Sequence, residues 1–258
     1  MVGVRGWDEF MKNKAGRNVL VTGSSRGIGY GIARAFAQTG DNVMLNCIQD
    51  RAGMERAVEE LQGISTGMIS GIMSDVSDYG SCKSMFENFN RQFGQMDILV
   101  NNAGKGYFGL FQDMDENSID EVIKSNLCSV MYPTHFALPI MLLQKSGVIL
   151  NISSIWGVSG ASCEAVYSAA KAGIIGFTKA LAKELGPSGV RVNCIACGAF
   201  DTRMNDRLSA VEKEMFLSEI PLGRFGELHE AGELAVFLAS EGAGYITGQA
   251  INLDGGYL

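Results

Sequence analysis

The sequence predicts the α/β class: a single domain built on a doubly wound, seven-stranded parallel sheet with helices on both faces. Three observations carry that expectation. Seven short runs are near-continuous in Val, Ile and Leu, as strands buried on both faces must be. Amphipathic helical stretches alternate with them, which implies right-handed strand–helix–strand crossovers. A glycine-rich turn follows the first run.

In chain order, the strands fall at 18–22 (NVLVT), 42–46 (NVMLN), 68–73, 97–101 (DILVN), 147–153 (GVILNIS), 190–196 (VRVNCIA) and 249–253. The helices fall at 27–39, 51–62, 79–93, 115–143, 165–186 and 227–239. No repeat, low-complexity stretch or Pro/Ser-rich linker divides the chain. Residues 1–15 read as an N-terminal extension, residues 16–258 as the domain, and about 200–220 as a flap over the substrate.

Composition narrows the function classes. Of 258 residues, 47% are hydrophobic and 19% charged, which excludes a disordered chain. The 33 glycines follow no three-residue period, so collagen is excluded too. Net charge is −7 with no basic cluster, against nucleic-acid binding. The longest wholly apolar run is the eight residues Phe136 to Leu143, far short of a membrane span of ~20. The first 14 residues carry Arg5, Asp8, Glu9, Lys12 and Lys14 and no apolar signal core, so a cytoplasmic protein is expected. Six cysteines in a long apolar chain read as small buried hydrophobes, not as a disulfide framework. Cys194 and Cys197 form a lone CxxC, and with only His135 and His229 to help, no metal site is expected.

Ligands of such sheets lie beyond the carboxyl ends of the strands. After the first strand comes Thr22-Gly23-Ser24-Ser25-Arg26-Gly27-Ile28-Gly29, then a helix. The spacing GxxxGxG meets the demand of a dinucleotide (Rossmann) turn: a close backbone approach, and helix N-terminal amides for a pyrophosphate. An NAD site places an acid some 20 residues past the glycines, on the ribose 2′-hydroxyl. Here that place is Asn46-Cys47, without an acid, while Arg26 can face a 2′-phosphate with a planar charged fork. NADP(H) is favoured, and Asp50 argues for NAD if the second strand ends later.

These residues and those that follow resemble the short-chain dehydrogenase/reductase family over roughly residues 16 to 256. The likeness is carried by Thr22–Gly29 (TGSSRGIG), Asp75-Val76, Asn101–Gly104 (NNAG), Asn126, Ser154, the YxxxK of Tyr167 and Lys171, and Cys197–Thr202. Ser154 precedes Tyr167 by 13 residues and follows Asn126 by 28, similar to the family's tetrad spacing. The resemblance implies cofactor contacts from Gly23, Ser25, Arg26, Gly27, Ile28, Gly29 and Asn46. It also implies that Asp75 and Val76 border the adenine, that Asn102, Ala103 and Gly104 pass beneath the ribose, and that Phe200 and Thr202 close over the nicotinamide side. One departure shows: Cys197 stands where the family usually has a proline, whose fixed φ is lost from the turn leading to the flap.

Tyr167 and Lys171 are four apart and so share a helix face. A free phenol near pKa 10 exchanges protons poorly at neutral pH, and an adjacent ammonium favours its phenolate. The resemblance implies that Tyr167 is the general acid for carbonyl reduction or the base for alcohol oxidation. It gives Ser154 as hydrogen-bond donor to the carbonyl oxygen, Lys171 as holder of the ribose hydroxyls, and Asn126 as anchor of a water path.

Within the family the likeness is nearest to bacterial 3-oxoacyl-carrier-protein reductases, so a ketone or 3-oxoacyl substrate, free or presented on a protein, is expected. SSIWG at 153–157 and GASCE at 160–164 are also similar to reductases of the aminopentanone modification of elongation factor P. Glu164, one turn before Tyr167, suits an amine-bearing substrate. Trp156, Tyr107, Phe108 and Met204 are expected to wall the pocket. Small residues along 165–186, with the family's habit of pairing that helix and 115–143 across subunits, imply a homotetramer. Three further readings stay open: a hydroxysteroid or sugar dehydrogenase, a catalytically silent nicotinamide-sensing protein, and a thiol redox protein using Cys194 and Cys197.

Overall fold

The computed structural model describes residues 16–202 and 209–258. The 1–15 extension, the middle of the flap and Met204 lie outside the described residues. The seven expected strands form as β1 (Asn18–Val21), β2 (Asn42–Cys47), β3 (Ile69–Met73), β4 (Ile98–Asn101), β5 (Gly147–Ser154), β6 (Val190–Cys197) and β7 (Ala250–Leu253). All pair in parallel, in the order β3-β2-β1-β4-β5-β6-β7. The order reverses between β1 and β4, so the crevice expected of a doubly wound sheet opens above that pair.

Alternation along each strand divides the core. Val19, Val21, Val43, Leu45, Val100 and Leu150 face one side. There they bury α1 (Gly27–Gln38) through Ile32 and Phe36, and α2 (Arg51–Gln62) through Met54 and Leu61. Leu20, Met44, Leu99, Ile149 and Val192 face the other side and bury α3 (Tyr79–Phe93) through Met85, Phe86 and Phe89. Each fully buried side chain of this size contributes about 1.5–3 kcal/mol, which is why register is strongly fixed here.

One expected helix differs. The stretch 115–143 is α4 (Glu116–Ile123), a π turn at Lys124–Cys128, and α5 (Ser129–Gln144). Single π turns of this kind recur at functional sites, because they turn side chains off the regular helical stripe. Pro133, lacking an N–H, also removes one helical bond in α5. By length and composition this run is apolar enough to cross a bilayer. However, Val130, Ala137 and Met141 are buried in the domain core.

β5 leads into a single short turn of helix, α6 (Trp156–Ser159), and then into the long α7 (Ala165–Leu185). The stretch 200–220, expected to form a flap, contains α8 (Ala210–Glu219), opened by a capping box between Ser209 and Glu212. α9 (Leu228–Leu238) packs back on α1, with the Leu228 carbonyl so close to Gly31 that no Cβ fits there.

Candidate active site

The strand ends converge on one cleft of about 1810 Å³. Its left half is built from the β1–α1 turn. Gly23 and Gly27 have φ of +62° and +61°, which only glycine adopts without strain. A Cβ on Gly23 would stand 2.8 Å from Ala103 Cα, and one on Gly29 would collide with the Asn102 carboxamide. That carboxamide donates to the Thr22 and Gly23 carbonyls at 3.0 and 2.9 Å. Thr22 Oγ1 accepts from the backbone amides of Asn102 and Ala103 at 3.0 and 3.1 Å. The first glycine turn and the strip 102–104 are therefore one rigid unit. It forms a backbone cradle beside the N-terminus of α1, whose first turn carries no acid. Such a cradle fits a dinucleotide pyrophosphate.

Ser25, Arg26, Gly27, Ile28, Asp75, Val76, Asn102, Ala103, Gly104, Phe200 and Thr202 all line the cleft with Gly23. Gly29 does not; it is buried behind the turn, where its missing side chain leaves room for Asn102. Arg26 has a mostly exposed side chain whose guanidinium lies 3.6 Å from the Asp50 carboxylate. Asp50 also accepts from Gly53 N at 3.0 Å as the N-cap of α2. Asn46 lines the cleft but is buried, with its carboxamide spent on backbone. Its Oδ1 accepts from Gly23 N at 3.3 Å and its Nδ2 donates to the Ser74 carbonyl at 3.0 Å. It braces the turn from beneath.

The right half holds the four polar residues. Lys171 is buried on α7, its Nζ donating to the Ile152 carbonyl at 3.0 Å and lying 5.6 Å from the Tyr167 ring centroid. Ser153 Oγ donates to the Lys171 carbonyl at 2.8 Å, tying β5 to α7. A Cβ on Gly157 would stand 2.7 Å from the Lys171 carbonyl carbon, so this glycine lets α6 abut α7 beside the site. Burial pushes the Lys171 ammonium down to about 8. Ser154, at the end of β5, accepts from Trp156 N at 3.2 Å, and Tyr167 is buried along the same cleft.

Asn126 sits in the π turn. Its Nδ2 donates to the Lys105 and Val122 carbonyls at 2.9 and 3.0 Å, and its Oδ1 accepts from Lys105 N at 3.1 Å. Gly104 stands where a Cβ would be 2.7 Å from Asn126 Oδ1 and 3.4 Å from Lys171 Nζ. Asn126, Lys171 and the 102–104 strip thus meet at one point.

On the substrate side, Trp156, Glu164 and Phe108 line the cleft. Tyr107 does not: its ring packs with Val122, Val166 and Tyr167 in a small apolar cluster, and Lys105, Gly106 and Phe108 face the opening instead. Residues that the sequence reading missed are Phe216 of α8 and Tyr257 near the chain end, which complete the wall beside Trp156. No periodicity marks them, since one comes from α8 and the other from the turn after β7.

The two cysteines of the CxxC pack in different clusters. Cys194 packs with Val130 and Ile174, whereas Cys197 packs on the opposite face with Ile152 and Phe200. Burial pushes their thiols up to about 11 and about 12, the reverse of a reactive cysteine. All six cysteines are free thiols.

Comparison with known proteins agrees with this geometry. Residues 23–258 match the family described as Enoyl-(Acyl carrier protein) reductase. The chain is 42% identical to the 3-oxoacyl-[acyl-carrier-protein] reductase FabG of Chlamydia trachomatis, covering 93% of this chain and 96% of that one. It is 42% identical to FabG of Staphylococcus aureus, over 94% and 98%, and 37% identical to an uncharacterized oxidoreductase, YmfI, of Bacillus subtilis, over 93% and 98%. The chain belongs to the short-chain dehydrogenase/reductase family and is an oxidoreductase.

Proposed function

We propose that the protein is an NADP(H)-dependent carbonyl reductase acting on a 3-oxoacyl thioester, as the relatives' names suggest. The observation that carries this reading is the cluster of Tyr167, Lys171 and Ser154 in the same cleft as the glycine cradle. The nicotinamide cofactor, when bound, supplies the hydride. Tyr167 then gives its phenolic proton to the carbonyl oxygen, and Ser154 donates a hydrogen bond to the same oxygen as negative charge develops. The Lys171 ammonium, buried beside the Tyr167 ring, favours the phenolate that remains. Asn126, by clamping the Lys105 backbone, holds the strip under the ribose and the far wall of the lysine's pocket.

Arg26, exposed at the rim of the cleft, supports the 2′-phosphate reading, with the Asp50 carboxylate 3.6 Å away as the competing anion. Glu164 supports a second substrate class. It is 8% exposed, opens α7 and lines the substrate side, so an aminoketone fits there as well. A homotetramer is supported by the outer faces of two helices: Met131, Leu142 and Leu143 are exposed on α5, and the exposed face of α7 carries Ala169, Ala172 and Gly176. A cytoplasmic setting is supported by the free thiols, four of them buried.

The test is a panel of acetoacetyl and longer 3-oxoacyl thioesters, a crotonyl thioester, aminoketones, steroids and sugars, read by NADPH and NADH absorbance. Tyr167→Phe serves as the control, which should lower turnover at least ~100-fold. Fastest reduction of the 3-oxoacyl thioesters supports the reading; reduction of the crotonyl double bond alone sinks it. Light scattering that gives a monomer at micromolar concentration sinks the tetramer.

A further inference from the structure

The chain ends in an element with no part in the proton chemistry, and its construction is specific. After β7, Asp254-Gly255-Gly256 reverses the backbone with φ of +68° and +87° at the two glycines. Asp254 Oδ1 accepts from Gly256 N at 2.9 Å and its Oδ2 from Leu258 N at 3.2 Å, locking the reversal. The segment just after α8 rests on it: Leu222 N donates to the Gly255 carbonyl at 3.2 Å, and a Cβ on Gly255 would stand 2.7 Å from Ile220. The turn brings Tyr257 back over the cleft. Its hydroxyl donates to Glu219, the last residue of α8, at 3.1 Å. Its ring meets Trp156 edge-on at 5.7 Å and Phe216 at 5.4 Å, while Trp156 and Phe216 stack at 6.3 Å. Three rings from α6, α8 and the terminus therefore form one apolar wall on the substrate side of the cleft.

We infer that Tyr257 is a positioning residue that latches α8 against Trp156, and that the wall so formed sets the length of acyl chain the site prefers. The chain-length part rests on the carbonyl-reductase reading. The latch part follows from geometry alone. Without the Tyr257 ring, α8 loses its tether at Glu219 and one of the ring contacts of Phe216, keeping those to Trp156 and Phe225. Helix and wall then separate, and a long chain loses more than a short one.

Two readouts on the full-length protein test this. Hydrogen exchange of the amides at 211–219 in Tyr257→Ala should be faster by roughly tenfold or more, with Tyr257→Phe between it and wild type. The ratio of kcat/KM for a 3-oxooctanoyl thioester over an acetoacetyl thioester should fall roughly tenfold in Tyr257→Ala, through KM, and recover in Tyr257→Phe. Unchanged exchange overturns the latch. Faster exchange with an unchanged ratio overturns the specificity role. A wild-type enzyme that reduces neither thioester overturns the carbonyl-reductase reading and the chain-length claim with it, and the exchange data then judge the latch alone.

Discussion

Replacing Lys171 by methionine should make the protein more stable while destroying its activity. Lys171 is buried, and burial holds its ammonium at about 8 against the ordinary 10.5. Below pH ~8 the folded and unfolded chains both carry the proton, and the full cost of burying the charge is present. That cost is the gap between 10.5 and about 8 at about 1.4 kcal/mol per pH unit, or about 3 kcal/mol. Between the two values the unfolded chain binds more protons, so wild-type stability rises with pH and the penalty is gone above pH ~10.5. Methionine fills a similar volume with no charge, but it leaves the Ile152 carbonyl without the lysine's hydrogen bond, which costs back about 1 kcal/mol. The net gain at pH 7 is about 2 kcal/mol, or about 4–8 °C in Tm for a domain of this size. Calorimetry of both proteins at pH 7 and near pH 10.5, without cofactor, measures it. A variant that melts at or below wild type at pH 7, or whose gain is the same at both pH values, refutes the reasoning.

Other substitutions probe the remaining parts of the site. Arg26→Ala should weaken NADPH relative to NADH by roughly 10- to 100-fold, the loss of charge-assisted bonds to one phosphate, read by fluorescence titration of both dinucleotides. Gly29→Ala drives a methyl into the Asn102 carboxamide that pins the glycine turn. It should cost about 1–3 kcal/mol in urea unfolding and weaken both dinucleotides together. Thr178→Val removes the acceptor of Asn151 Nδ2, in a fully buried chain that continues from Asn151 Oδ1 to Asn101 and on to Thr134. It should cost about 1–3 kcal/mol of stability, read by urea unfolding.

How much of this was legible in the sequence depends on how local each signal is. Strands such as VRVNCIA announce themselves because a sheet covered on both faces demands continuous apolar residues, and all seven were placed to within about a residue. The glycine turn was legible because steric demands at Gly23 and Gly27 admit one residue type. Asn126 was legible only by resemblance. Its setting, a π turn inside what reads as one amphipathic helix, depends on hydrogen bonds to Lys105, 21 positions away. Tyr107 and Tyr257 show the limit in both directions. An aromatic beside a strand end turned inward to cover Tyr167, while one at the far terminus came back to the cleft through a turn of two glycines.

The site also explains why so rigid a frame is needed. A lysine held 4% exposed opposes folding at neutral pH, and it stays there only because neighbouring groups are fixed more strongly. β5 anchors it twice, through the Ile152 carbonyl and through Ser153 Oγ. Gly157 lets α6 abut the Lys171 backbone, and Gly104 lies so close to Asn126 Oδ1 that no Cβ fits between them. A buried Asn–Thr chain behind the site then joins β4, β5, α5 and α7. If that frame loosened, Lys171 would swing toward water and regain its ordinary proton affinity. The Tyr167 ring would then lose the cation 5.6 Å from its centre. Loss of core packing and loss of proton transfer should therefore coincide: Thr178→Val should raise the pH at which Lys171 titrates, measurable by the pH dependence of its reaction with a small amine-selective reagent. An unchanged titration in a clearly destabilised Thr178→Val protein would show that the frame and the proton site are independent.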